Sequence, residues 1–269
     1  MSHLSLGTAV ITGASAGIGA TYAHRLARRG FDLLLVARDH ERLEQLAHKL
    51  RIETGVGAEV LRADLTVHTD LKAVESRLRD DARITLLVNN AGITAPRQLA
   101  TADPDRLEAA IQLNITALTR LAAAAVPGFV ARKNGTIINL ASVLALAPEL
   151  TSAVYGGSKA YVVAFTQALN QEVSASGVRV QAVLPGLTRT EIWERSGIDV
   201  NTLPQDKLMH VDELVDAALA GLDQGELITI PSLPDAADWT AFEAARQKLG
   251  PNLSHRHAAP RYRTTLTAA

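Results

Sequence analysis

Thr8-Ala9-Val10-Ile11-Thr12-Gly13-Ala14-Ser15-Ala16-Gly17-Ile18-Gly19 decides the fold of this chain. Thr8–Ile11 reads as a short buried strand, and Ile18–Arg29 has the length and apolar spacing of a helix. A glycine turn lies between them, at the start of that helix. Backbone N–H groups and the positive end of the helix dipole converge there, which suits a pyrophosphate. Glycine lets backbone approach ligand, and helix approach strand, with no β-carbon between. The spacing is Gly-x-x-x-Gly-x-Gly rather than the commoner Gly-x-Gly-x-x-Gly, and out of context it reads equally as a structural turn. In its strand–turn–helix setting it predicts a dinucleotide site at Gly13, Ser15, Gly17, Ile18 and Gly19.

Outward from this stretch, the strand–helix alternation repeats. Phe31–Val36, Ala58–Arg62, Ile84–Asn89, Gly135–Leu140, Val178–Leu184 and Ile228–Ile230 read as further strands. His40–Thr54, Thr69–Arg79, Asp103–Ala131, Ser152–Ser176, Val211–Leu222 and Asp235–Leu249 read as helices. Asp103-Pro104 is an N-cap followed by proline at the first helical position, and Gly30, Gly55 and Gly177 sit where C-caps are expected. Apolar strands alternating with helices imply a parallel sheet covered on both faces, so the expected fold is α/β, a doubly wound (Rossmann) sheet in one domain. Residues 1–250 are assigned to that domain. A lid is expected at about 187–210, carrying Ile192, Trp193, Ile198, Val200 and Leu203, with a basic tail at 251–269.

Composition narrows the function. The 269 residues are 47% hydrophobic and 20% charged with a net charge of −1, which favours neither nucleic acid nor an anionic membrane. The absence of cysteine removes disulfides, thiolate nucleophiles and Cys-based metal sites, and suits a cytoplasmic protein. Leu6–Ile11 is too short for a secretory signal, and the alanine-rich run Leu121–Val126 meets Pro127 far short of a membrane span. His255-x-His257 lacks acidic partners and reads as solvated tail, so no metal is expected.

The second strand ends in Ala37-Arg38, where an acid would hold a ribose 2′-hydroxyl. A small residue followed by arginine instead leaves room and charge for a 2′-phosphate, so NADP(H) is expected ahead of NAD(H). Asp39, one position on, reads as the next helix's N-cap. Asp64-Leu65 after the third strand offers a carboxylate to the adenine amino group. Asn90, Ala91 and Gly92 close the fourth strand with a strand-end amide and space against the cofactor. Taken alone, each of these two motifs is equally turn chemistry. At the other end, Tyr155 and Lys159 share a helical face in Tyr-Gly-Gly-Ser-Lys, which lets an ammonium sit beneath a phenol that ordinarily titrates near ~10.

Taken in order, TGASAGIG, ARDHERL, ADL, NNAG, Asn114, Ser142, YGGSK and LPGLTRT resemble the short-chain dehydrogenase/reductase family from about Thr8 to Thr190. The resemblance implies Tyr155 as general acid/base and Ser142 as the hydroxyl that holds the substrate oxygen. Lys159 is implied as the residue that binds the nicotinamide ribose and lowers the tyrosine pKa, and Asn114 as the one whose carbonyl positions a water beside that lysine. Pro185, Gly186, Thr188 and Thr190 are implied to receive the nicotinamide carboxamide. It also implies a homodimer or homotetramer through the two long helices. Val143, Leu144, Ala145, Leu146, Ala147, Ile93, Ile192 and Trp193 suggest an apolar pocket for a ketone, aldehyde or alcohol, although the same residues suit a core. Two alternatives stand beside this one. A 3-oxoacyl thioester reductase would need a basic patch, for which Arg120, Arg132 and Lys133 are the candidates, and an NADP(H) sensor would bind without turnover.

Overall fold

In a computed structural model describing residues 6–195, 197 and 199–262, seven strands form one parallel sheet in the order β3-β2-β1-β4-β5-β6-β7. The strands are β1 (Thr8–Thr12), β2 (Asp32–Ala37), β3 (Ala58–Arg62), β4 (Ile84–Asn89), β5 (Gly135–Leu140), β6 (Val178–Val183) and β7 (Ile228–Thr229). The helices are α1 (Gly17–Arg28), α2 (His40–Thr54), α3 (His68–Asp80), α4 (Pro104–Ile111), α5 (Leu118–Arg132), α6 (Ala153–Val173), α7 (Ile192–Arg195), α8 (Val211–Asp223) and α9 (Ala236–Gln247). The doubly wound sheet expected from the alternation is what the chain forms. The strand order reverses at β1, so a crevice opens beyond the C-terminal ends of β1 and β4.

Successive strand residues point to opposite faces, and each face has its own core. Ala9, Ile11, Leu33 and Leu35 pack under α1, α2 and α8 with Tyr22, Leu43 and Leu214. Val10, Leu34, Val36 and Leu87 pack on the other side with Leu71 and Val74 of α3, Leu121 of α5 and Leu169 of α6. Both faces of β1 are therefore buried, which is why the strand reads as a continuous apolar run.

The chain divides into two compact units, Met1–Pro231 and Ser232–Ala269, an earlier division than the boundary at residue 250 expected from the pattern. The whole sheet lies in the first. In the second, α9 buries none of its side chains, and Trp239 and Phe242 contact each other with ring centroids 5.3 Å apart. Of the expected tail, residues 263–269 lie outside the described residues, as does Ile198 of the lid.

Two departures from the sequence reading concern the expected helix Asp103–Ala131. Its first turn is capped as expected, with the Asp103 carboxylate accepting from the Asp105 N–H at 3.0 Å. The segment Gln112–Ala117, however, is a π-helix between α4 and α5. Pro127 also fails to end the run: it sits inside α5, so Pro104–Arg132 is one 29-residue helical stretch with a mean hydropathy of 1.4 over its most apolar window. By length and composition it is the one stretch among the described residues apolar enough to cross a membrane. Its apolar side chains Leu121, Ala125 and Phe129 lie instead in the core on the α3 face of the sheet.

Candidate active site

The glycine turn is held by the adjacent strand end. Thr12 Oγ1 accepts from the N–H groups of Asn90 and Ala91, both at 3.0 Å, and donates to the Val88 carbonyl at 3.2 Å. Asn90 Nδ2 returns to the Thr12 carbonyl at 2.8 Å and to that of Gly13 at 3.3 Å. The space left for Gly13 and Gly19 is therefore nil. A β-carbon on Gly13 would stand 2.8 Å from Asn90 Nδ2, and one on Gly19 would stand 2.4 Å from the Gly13 carbonyl oxygen. Gly17 starts α1 with φ +53°, and the helix has neither a side-chain cap nor an acid in its first turn. Its leading N–H groups thus have no carboxylate of their own turn competing for them, which fits a dinucleotide pyrophosphate.

At the adenosine end, Asp39 caps α2 as expected, accepting from the Arg42 N–H at 3.1 Å. Arg38 is 70% exposed, and its Nη1 lies 3.8 Å from Asp64 Oδ2, the two residues coming from neighbouring strands β2 and β3. Asp64 Oδ1 accepts from the Thr66 N–H at 3.0 Å and the Thr66 hydroxyl at 2.7 Å. Burial works against its charge, but these bonds and Arg38 outweigh burial and hold its carboxyl below the usual range. One Asp64 oxygen is therefore engaged in turn chemistry, and the other lies beside Arg38. The Leu65 side chain lies in the core, which leaves only its backbone for a ligand.

At the reactive end the structure brings Ser142, Tyr155 and Lys159 together. Ser142 lies two residues past β5 and caps the short turn Val143–Ala145, accepting from the Leu144 N–H at 3.2 Å. Ser152 caps α6 by accepting from the Tyr155 N–H at 3.2 Å, which puts the phenol in the first turn. Lys159, one turn on, is buried, with Nζ 5.7 Å from the centre of the Tyr155 ring. That ammonium donates to the Leu140 carbonyl at 2.8 Å. Burial pushes it from its ordinary 10.5 down to about 8. Burial also raises the Tyr155 pKa above its ordinary value, while a hydrogen bond with Ser142 pulls the other way. For this phenol the loss of hydration outweighs the Ser142 hydrogen bond.

Asn114 sits in the π-helix, a distortion that often marks functional positions. Its side chain is fully spent. Oδ1 accepts from the Ile93 N–H at 3.0 Å, while Nδ2 donates to the Ile93 carbonyl at 2.9 Å and to Ser158 Oγ at 3.1 Å. A β-carbon on Gly92 would lie 3.2 Å from Asn114 Oδ1 and 3.5 Å from Lys159 Nζ. Gly92, Asn114 and Lys159 therefore meet at one point. Ser158 had no signal of its own in the sequence beyond its place next to Lys159.

Pro185 and Gly186 follow β6 beside Ser142, with the Val143 N–H donating to the Pro185 carbonyl at 3.0 Å. Thr188 is buried and donates to the Gly186 carbonyl at 3.1 Å, and Trp193 Nε1 donates to the Thr188 carbonyl at 2.7 Å. Main-chain bonds from Arg189 N to Met209 O (3.0 Å) and from Met209 N to Leu187 O (2.9 Å) join the two ends of the segment 187–209. Thr190 Cγ2 would lie 3.3 Å from a β-carbon on Gly17, so the lid's first residues abut the phosphate turn. The carbonyl end and the phosphate end of the crevice are thereby continuous.

Comparison with known proteins agrees with this geometry. A family model described as short chain dehydrogenase matches residues 7–201. An uncharacterised oxidoreductase of Staphylococcus epidermidis is 31% identical over 231 residues, 86% of this chain and 96% of the relative. A solved short-chain dehydrogenase from Sphingobium yanoikuyae, in complex with NADPH, is 56% identical with a TM-score of 0.93, covering 96% of this chain and 100% of that one. The solved bulky-bulky ketone specific alcohol dehydrogenase from Comamonas testosteroni is 47% identical with a TM-score of 0.89, covering 96% and 99%. The chain belongs to the short-chain dehydrogenase family.

Proposed function

We propose that the chain is an NADP(H)-dependent oxidoreductase that interconverts a carbonyl and an alcohol on a bulky, mainly apolar small molecule, with the proton supplied by Tyr155. The observation that carries this reading is the convergence of Ser142, Tyr155 and Lys159 at the end of the crevice opposite Arg38. The bound nicotinamide supplies or accepts the hydride. In the reducing direction Tyr155 donates its proton to the substrate oxygen. Its raised pKa keeps the phenol protonated for that step near neutral pH. Ser142 donates a hydrogen bond to the same oxygen, where negative charge develops. Lys159 keeps a cation beneath the ring as phenolate forms, and Asn114 fixes the distance between that lysine and the Gly92–Ile93 loop. In this reading Gly13, Ser15, Gly17, Ile18 and Gly19 hold the pyrophosphate and Arg38 takes the 2′-phosphate. Asp64 and the Leu65 backbone face the adenine, and Asn90, Ala91 and Gly92 line the ribose. Pro185, Gly186, Thr188 and Thr190 receive the carboxamide.

The substrate class is supported by the apolar run after Ser142, by Ile93, Ile192 and Trp193, and by the ketone specificity named for the Comamonas testosteroni relative. A carrier-bound acyl thioester is disfavoured because two of the three basic residues that would greet it are engaged. Arg120 pairs with Glu75 at 2.5 and 3.0 Å, and Arg132 donates to the Ile84 carbonyl at 2.9 Å. NADPH oxidation measured against bulky ketones, small aldehydes and acyl thioesters tests the reading. Turnover is expected with the first class, and Tyr155→Phe abolishes it while NADPH still binds. NADPH binding without turnover on any class would make the protein a sensor. We further infer a cytoplasmic homodimer or homotetramer, a reading supported by the exposed Ile111 on α4; light scattering of the purified chain tests its assembly.

A further inference from the structure

We propose that Arg42 and Glu191 form a clasp across the mouth of the dinucleotide groove and set the rates at which the cofactor enters and leaves. The inference rests on the NADP(H) reading above. Arg42 lies in the first turn of α2, and its Nη1 stands 3.0 and 2.8 Å from the two carboxylate oxygens of Glu191, 149 residues away in the chain. Asp39 steadies it from the other side, with an oxygen 3.5 Å from Nε.

The topology gives this pair its meaning. β2 leads into α2 and β6 leads toward Glu191, and β1, β4 and β5 lie between them in the sheet. Four strand spacings make roughly 19 Å at the level of the sheet. The segment from β6 to Glu191 covers that distance, with Thr190 passing Gly17 at the start of α1, on the side where a doubly wound sheet receives its dinucleotide. Glu191 itself lines a cleft of about 350 Å³ with Gly17, Arg189, Thr190, Glu194 and Val200. A dinucleotide laid from Arg38 to Pro185 along the glycine turn would pass Gly17, which lines that cleft with Glu191. The pair must open for the ligand to enter and again for it to leave, and it closes in between. Both side chains are roughly half exposed, so the bond adds little to stability. Its effect is kinetic: it slows association and dissociation together and leaves their ratio nearly unchanged.

Stopped-flow fluorescence of NADPH and NADH tests this with the wild type, Glu191→Ala and the charge-swapped pair Arg42→Glu/Glu191→Arg. Glu191→Ala is expected to raise both rate constants about two- to fivefold, the range open to an exposed ion pair, with the dissociation constant changed less than about twofold. The swapped pair brings the NADH rates back toward wild type; NADH is the probe there because it carries no 2′-phosphate for residue 42 to meet. High salt accelerates NADH release from the wild type more than from Glu191→Ala. Unchanged rates in Glu191→Ala overturn the clasp, as does a loss of affinity expressed in release alone. Absence of any NADPH signal in the wild type refutes the cofactor reading itself, a separate outcome.

Discussion

Replacing Lys159 by methionine should make the ligand-free protein more resistant to unfolding near neutral pH while removing its catalysis. The amine is buried, and burial lowers its pKa from 10.5 to about 8. In the unfolded chain it keeps its ordinary value. Below pH 8 both states are protonated, and the folded state carries the whole cost of an ammonium held out of water. Between about 8 and 10.5 the unfolded state binds more protons than the folded one, so wild-type stability rises with pH through this window. At 1.36 kcal/mol per tenfold, the cost is roughly 3 kcal/mol at pH 7 and vanishes above the unfolded pKa. Against it stands the hydrogen bond to Leu140, made at 2.8 Å, whose loss leaves a buried carbonyl unpaired at about 1–3 kcal/mol. The absolute gain at pH 7 is accordingly small, whereas the change with pH is large. Urea unfolding of both proteins at pH 7, 9 and 10.5 measures it: relative to wild type, the variant should lose roughly 3 kcal/mol across the series. Titrating groups remote from Lys159 are shared and cancel. A pH-independent difference would refute the claim that this lysine is held against its hydration.

Three further substitutions test particular contacts. Arg38→Asp should lower kcat/KM for NADPH by about 10–150-fold, the value of a hydrogen bond to a charged group, with NADH affected far less; equal effects on both cofactors would remove Arg38 from the site. Gly19→Ala places a methyl group 2.4 Å from the Gly13 carbonyl oxygen and should cost about 1–3 kcal/mol or more in chemical unfolding, whereas no change would mean the turn yields freely. Gly157→Ala, by contrast, meets nothing within 4 Å on α6 and should stabilise by about 1 kcal/mol, roughly 2–4 °C in Tm. A fall in Tm would show that this face is covered, as by a second copy of the chain.

The fold was readable because its strands are buried on both faces and its helix starts are chemically marked. β3, β4, β5 and α2 fall where the pattern puts them, and the Asp39 and Asp103 caps are made by the expected carboxylates. The glycine turn was equally readable, since Gly13 and Gly19 have no room for a β-carbon. What escaped depends on contacts made across the fold. The π-helix at Gln112–Ala117 carries an ordinary helical pattern, and its Asn114 is held by Ile93 and Ser158, 21 and 44 residues away. The phenol's raised pKa follows from burial that helical spacing alone does not reveal: Tyr155 and Lys159 are one turn apart as expected, yet the ammonium is bonded to Leu140. Arg42 and Glu191 look like unrelated surface residues until the sheet order brings them together.

The main-chain bonds between residues 187–189 and Met209 have a consequence for how this scaffold can change. They fasten the two feet of the lid to each other, so whatever lies between is a loop already closed by its own base. The entropy of closing such a loop rises only with the logarithm of its length, about 0.6 kcal/mol for each doubling. Residues can therefore be added, deleted or replaced between the feet at little cost to the sheet below. Ser142, Tyr155 and Lys159 stay fixed just beyond β5 and on α6 while the segment between the feet is free to vary.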